Sequence, residues 1–223
     1  NVVRAHTLAM MVGCALCIEP SLGVFNDNAL DHVDYVVKSA NAHGIRLITE
    51  FVDNYKNFIG GKHTFTDWRG LTNEDDFYTN TTVISDFEQY ISHILNHVNI
   101  YTGVAYKDDP TFLGWGLGNE LYSPSSWSNT ISTYVKSIDS NHLVIDGYRG
   151  INTDDLSLPN VDIIDDHEYP MSVGYTQRNV AQVTAANRVY MIGEYDWNDY
   201  TGGSDPLANF LSEIEKDGTA VDN

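Results

Sequence analysis

Positive charge is scarce in this chain: 12 lysines and arginines stand against 31 aspartates and glutamates, for a net charge of −19 at neutral pH. A surface of that sign repels phosphate backbones and anionic lipid, so nucleic acid and membrane surfaces are excluded as partners and a neutral ligand is expected. Long apolar runs are missing as well, none approaching the roughly 20 residues that cross a bilayer. No signal peptide precedes the strand-like residues that begin at Asn1, so the native start is expected to lie outside this sequence. Cysteine is nearly absent. Cys14 and Cys17 form a lone C-x-x-C with neither a second pair nor a histidine nearby, short of the four ligands of a structural zinc site, and they are expected to be structural. No dinucleotide or phosphate-loop signature occurs, because Gly116-x-Gly118 lies inside an apolar run rather than in a turn opening a helix. No cofactor is expected, and no low-complexity segment or linker divides the chain.

What is present is organised around Gly114-Trp115-Gly116-Leu117-Gly118-Asn119-Glu120-Leu121, an apolar run that ends abruptly in an amide and a carboxylate. Phe112, Leu113, Trp115 and Leu117 do not alternate with charges, which predicts a strand covered on both faces, as in a parallel sheet flanked by helices. A carboxylate at the tip of such a strand is costly unless it is paired or used. Val189-Tyr190-Met191-Ile192-Gly193-Glu194-Tyr195 repeats the design, and Gly193 is expected to let a ligand approach Glu194.

In chain order, residues 1–8 read as a strand ending in polar Arg4, His6 and Thr7. Asn26 or Asp27 then caps a helix that stops at Gly44, 45–52 is a strand ending near Asp53-Asn54, and 55–80 is a long aromatic loop suited to a binding site. Ile84, Phe87, Ile91, Ile94, Leu95 and Val98 hold helical spacing. Beyond the Glu120 strand, 127–138, 176–186 and 207–216 read as helices, and 142–146 and 161–164 as strands, the latter running into Asp165-Asp166-His167-Glu168-Tyr169-Pro170. Six strands alternate with about as many helices, the pattern of a parallel α/β sheet whose polar residues collect at the strands' carboxyl ends.

Val3-Arg4, Gly118-Asn119-Glu120, His167-Glu168-Tyr169 and Gly193-Glu194-Tyr195, in this order, resemble glycoside hydrolase family 5. Ala42-His43-Gly44-Ile45-Arg46-Leu47-Ile48, Phe77-Tyr78-Thr79-Asn80 and Trp115-Gly116-Leu117-Gly118-Asn119-Glu120 look most like its fungal-type endo-β-mannanases. The resemblance implies an α/β fold, a (β/α)8 TIM barrel of which residues 1–223 supply one catalytic domain with strands two to seven, lacking the first and last. It makes Glu120 the general acid/base and Glu194 the nucleophile of a retaining hydrolase acting on a β-1,4-linked polysaccharide, most closely β-mannan. Asn119 would bind the sugar's 2-hydroxyl, Arg4 would hold Glu194 ionised, and His167 and Tyr169 would line the cleft; apart from the resemblance, Trp197, three residues after Glu194, is the best candidate to stack on a sugar face. A cation beside one carboxylate and burial of the other would lower the first pKa and raise the second, separating the two roles. Two departures stand out: Asp53-Asn54 where many members have histidine, and Gly116 where mannanases often have glutamate. No metal is implied, and the full-length protein is expected to be a monomer.

Other readings of the same residues are a cellulase-like endo-β-1,4-glucanase of the family, a divalent-metal site built from Asp165-Asp166-His167-Glu168 with Glu120 and Glu194, and a sugar-binding protein without turnover. Adjacent carboxylates on a strand point to opposite faces, which argues against all of that acidic run meeting one ion. Trp68 and Trp127 are candidates for stacking but fit the core equally well. The sequon Asn80-Thr81-Thr82 and the cysteine pair lean towards a secreted, extracellular protein.

Overall fold

A computed structural model describes residues 1–5, 8, 11–56, 60–219 and 221–222. Its strands form one sheet in chain order, every neighbouring pair parallel: β1 (Val2–Ala5), β2 (Arg46–Glu50), β3 (Phe112–Gly116), β4 (Leu143–Ile145), β5 (Ile163–Glu168), β6 (Val189–Tyr195) and β7 (Val221–Asp222). Six of these are the strands the patterning predicts. The seventh is two residues long, too short to carry a pattern, and exists through its pairing with Met191 and Ile192 of β6. Such a sheet, with helices in its crossovers and polar residues at its carboxyl edge, is the wall of a TIM barrel.

The helices follow the predicted periodicities with shifted ends. The first begins as a 3-10 turn at Asp27–Leu30 before α1 (Asp31–Ala42), and Gly44, at φ 67°, takes the left-handed conformation that ends it. The segment expected as one long loop contains α2 (Lys62–Trp68) and α3 (Asp76–Thr79), because Phe65, Phe77 and Tyr78 bury themselves against the next helix. That helix, α4 (Thr81–Asn96), is capped by Asn80, whose side-chain oxygen accepts from the Thr82 and Val83 amides. Then come α5 (Ser125–Ile138), α6 (Val173–Ala185) and α7 (Leu207–Asp217). Phe65, Phe77, Phe87, Tyr90 and Trp127 interlock between α2, α3, α4 and α5, with Phe87 and Trp127 stacked at 5.9 Å. This accounts for Trp127, and Trp68 packs edge-on against Phe65 at 5.3 Å. Both belong to packing.

Inside the sheet the layers change character with height. Ile48, Ile145, Ile163 and Met191 form an apolar floor. Because a strand returns to the same face every second residue, the next inward positions on β2 and β5 are Glu50 and Asp165, followed by His167. A charged layer therefore lies directly above the floor, towards the carboxyl edge. Cys14 and Cys17 are joined in a disulfide in the loop after β1, in agreement with a structural role.

Candidate active site

Glu120 sits four residues past the end of β3, where the chain is held by bridges of Asn119 to Asp53 and of Leu121 to Tyr148. Between these anchors Glu120 adopts φ 51°, an uncommon conformation for a residue with a side chain and one found at functional sites. Its Oε1 accepts from His167 Nδ1 at 2.8 Å and its Oε2 from the Tyr55 hydroxyl at 2.6 Å, while Arg149 Nε lies 3.9 Å from Oε2. Glu194, on β6, accepts from Arg4 Nη1 at 2.9 Å and from the Tyr169 hydroxyl at 3.1 Å. Carboxylate oxygens of Glu120 and Glu194 and a ring nitrogen of His167 lie within 4.8 Å of one another. That spacing suits a pair of carboxyls that attack and protonate on the same face, for which roughly 5–5.5 Å is typical, better than the roughly 6.5–9.5 Å of an inverting pair.

Arg4 ties the layer together. Its side chain is 3% exposed, with Nε donating to Glu50 at 3.0 Å and Nη2 to Asn119 Oδ1 at 2.6 Å, besides the bond to Glu194. Asn119 in turn donates from Nδ2 to Asp53 Oδ1 at 3.2 Å, so both ends of its amide are engaged and its orientation is set. Asp53, one of the departures from the family pattern, thus orients Asn119. Burial pulls the Arg4 pKa down, but Glu50, Asp165 and Glu194 outweigh it and hold it raised. Burial likewise works against charge on His167, yet Asp165 and Glu120 push the imidazole up to about 10, so it is a cation at neutral pH. Glu50 is pushed up to about 7 by burial, against the pull of Arg4. For Glu120 the expected direction is reversed: burial raises it, but the bonds from His167 and Tyr55 prevail and hold it below the ordinary range.

Two glycines make room for these charges. A side chain on Gly116 would begin 1.5 Å from Glu50 Oε2, and one on Gly193 would begin 2.4 Å from Asp165 Oδ1. The volume beside Gly116, where mannanases often carry glutamate, is therefore filled by a carboxylate from the neighbouring strand. The expectation for Gly193 is corrected: the space it leaves is taken by Asp165, and the register shift between β5 and β6 passes over Gly193 to pair His167 with Glu194. Gly116→Ala should cost about 1–3 kcal/mol by overpacking. Combined with Glu50→Ala it should cost less than the two single changes summed, because the methyl then enters vacated space. Denaturant midpoints of the four proteins test this, and additive costs would contradict the packing.

Of the residues singled out in the sequence, Glu120, Glu194, Arg4, Asn119, His167 and Tyr169 converge. Trp197 follows Glu194 by three residues and is 67% exposed, accessible to a ligand but apart from this cluster's hydrogen bonds. His6 lies outside the described residues. The acidic run divides as strand geometry requires: Asp165 and His167 face inward, whereas Asp166 accepts from Asn179 and Tyr190, and Glu168 from Thr176 and Tyr190, on the α6 side. Among the described residues, the group placed to hold a metal is Glu120, His167 and Glu194, and there Arg4 and protonated His167 already supply positive charge. Sequence reasoning missed Tyr55, Glu50 and Arg149 as site residues, and offered Asp165 only as a metal ligand. The aromatic character of 55–80 was the one signal pointing to Tyr55.

A family model described as GH family 5 β-mannosidase-like matches residues 11–168. The chain is 39% identical over 159 residues to mannan endo-1,4-β-mannosidase 4 of Oryza sativa subsp. japonica, covering 66% of this chain and 34% of that protein. It is 32% identical over 199 residues to mannan endo-1,4-β-mannosidase 7 of Arabidopsis thaliana, covering 74% and 46%. The chain thus spans between a third and a half of the length of these relatives. Among solved structures, the endo-1,4-β-mannanase of Rhizomucor miehei superposes with a TM-score of 0.88 at 29% identity, covering 99% of this chain and 76% of that one. The hyperthermostable endo-1,4-β-D-mannanase of Thermotoga petrophila shares the fold, with a TM-score of 0.87 at 24% identity, covering 100% and 78%.

Proposed function

From the premise that the chain belongs to the β-mannosidase-like group of glycoside hydrolase family 5, we propose that it carries the catalytic centre of a retaining endo-β-1,4-mannanase. The observation that carries this reading is the approach of Glu120 and Glu194 to within 4.8 Å at the carboxyl edge of one parallel sheet. Glu194, bonded by Arg4 and Tyr169, attacks the anomeric carbon while Glu120 gives a proton to the departing glycosidic oxygen. Glu120 then takes a proton from water as the water displaces Glu194. Asn119 keeps one amide hydrogen for the sugar's 2-hydroxyl, since its other bonds are to Arg4 and Asp53. Exposed Trp197 offers an aromatic face to a pyranose. The net charge of −19 suits a neutral polysaccharide over nucleic acid or an anionic membrane. The Cys14–Cys17 disulfide and the sequon at Asn80 support a secreted protein, which we propose acts as a monomer.

Release of reducing ends from a panel of β-glycans, with and without chelator, tests the assignment. Mannan should be cleaved fastest and chelator should leave the rate unchanged. Preference for cellulose would move the substrate assignment to a glucanase. Loss of activity with EDTA, restored by a divalent ion, would instead favour an ion held by Glu120, His167 and Glu194.

A further inference from the structure

Both oxygens of Glu120 are occupied, and the two donors differ in how they can be reached. His167, on Oε1, has a side chain 1% exposed and is pinned from behind by Asp165 Oδ2 at 3.3 Å from Nε2. Tyr55, on Oε2, reaches in from the loop after β2 and is 39% exposed. Glu120 itself is only 10% exposed along its side chain. A glycosidic oxygen must come within hydrogen-bond reach of a Glu120 oxygen to receive its proton. The Oε1 side is closed by a buried, ion-paired imidazole, which leaves Oε2 as the proton-donating oxygen, and that position is held by the tyrosine.

We propose that Tyr55 is a displaceable cap on the acid/base: its hydroxyl occupies the place at Glu120 Oε2 that the substrate's leaving oxygen must take, and the arriving substrate expels it. This deepens the reading of Glu120 given above and rests on it. A hydroxyl donated to a carboxylate favours the ionised form, so its removal shifts Glu120 towards the protonated form as the leaving oxygen arrives. The free site thus holds Glu120 as a carboxylate, and substrate binding itself helps to make it an acid. The other groups facing Glu120 are His167 and Tyr169 from β5 and its end, Arg149 from the loop after β4, and Glu194 from β6. None of these needs to move for Oε2 to open. Arg149, 42% exposed and bonded to the Tyr122 hydroxyl at 2.8 Å, lines a 410 Å³ cavity with Tyr169 and Tyr175 beside the cap, where the leaving sugar can be received. Tyr55 is a positioning residue in this scheme and takes no part in bond making.

The test is Tyr55→Phe in the intact protein, which keeps the ring and removes the hydroxyl. Because kcat/KM refers to free enzyme and kcat to the complex, the cap predicts a split. At neutral pH kcat/KM on mannan should rise roughly 10- to 100-fold, the effect of one hydrogen bond to a charged acceptor that no longer has to be broken. The pH above which kcat/KM declines should move up, while kcat and its pH profile should stay as in wild type. A fall in kcat together with kcat/KM would show that Tyr55 stays bonded through the reaction, and no change in either would show that it caps nothing. Both results overturn the proposal. Carbon-13 NMR of the Glu120 carboxyl gives a reading independent of turnover. Tyr55→Phe should raise its titration in the free protein, and saturating mannobiose should erase the difference; a difference that persists with mannobiose overturns the cap. If Glu120→Gln hydrolyses mannan like wild type, the acid/base reading falls first and the cap with it.

Discussion

Glu194→Ala should lower hydrolysis of mannan by roughly 10⁴- to 10⁶-fold, the scale of loss when a nucleophile is removed from an otherwise intact site. The expectation rests on the position of Glu194: one oxygen bonded to Arg4, the other to the Tyr169 hydroxyl, and its carboxylate 29% exposed towards the cleft. Arg4 keeps Glu50 and Asp165 as counter-charges in the variant, so the loss should appear in kcat with a folded protein. A sharper form of the same expectation is chemical. A 2-fluoro β-mannosyl donor with a good leaving group should glycosylate Glu194 with loss of that group, because the fluorine slows both steps while the leaving group keeps the first faster than the second. The adduct should be found on the peptide containing Gly193-Glu194-Tyr195, and early products should keep the β configuration. Label on another residue, or an α product in early proton spectra, would remove Glu194 from this role. If the mannosyl donor gives no label, the glucosyl donor distinguishes a wrong sugar from a wrong mechanism.

Glu120→Ala should reduce mannan hydrolysis by about 10²- to 10⁴-fold, the usual contribution of a general acid. The loss should depend on the leaving group, since an acidic phenol departs with little protonation. For an activated aryl β-mannoside the first step should survive and the second, which needs a base, should become limiting. Added azide should then restore turnover by replacing the water, giving a β-mannosyl azide. Wild-type rates on mannan would show that Glu120 is a structural carboxylate. The pH profile carries a related expectation. The imidazolium of His167, raised to about 10, contributes stability that is complete below its ordinary value of about 6.5 and is lost as pH rises through about 10. Over that same alkaline range Glu120 loses a cationic partner.

Much of this architecture is legible in the linear chain, for a local reason. Strand and helix periodicities report burial, so the apolar run before Glu120, the helical spacing of Phe87, Ile91 and Ile94, and the split of Asp165 and His167 from Asp166 and Glu168 all follow from counting residues along one element. The two glutamates stand out because a carboxylate after an apolar strand needs a partner or a task. What local pattern cannot convey is which side chains meet across the barrel. Arg4 and Glu194 are 190 positions apart, Tyr55 and Glu120 65, and Arg4 and Glu50 46. These pairs form because seven parallel strands are staggered into one curved sheet, and the stagger depends on the whole set of strand pairings. The same cause sets the purpose of Gly116 and Gly193, whose missing side chains are filled by carboxylates from adjacent strands, and the direction of the Glu120 pKa, which turns on bonds from His167 of another strand and from the hydroxyl of Tyr55 in a distant loop. The sequence by itself determined the elements, their order and the two carboxylates; only the tertiary structure decided their partners, because charge and hydrogen bonding at this edge act over a few ångströms between residues that the chain keeps far apart.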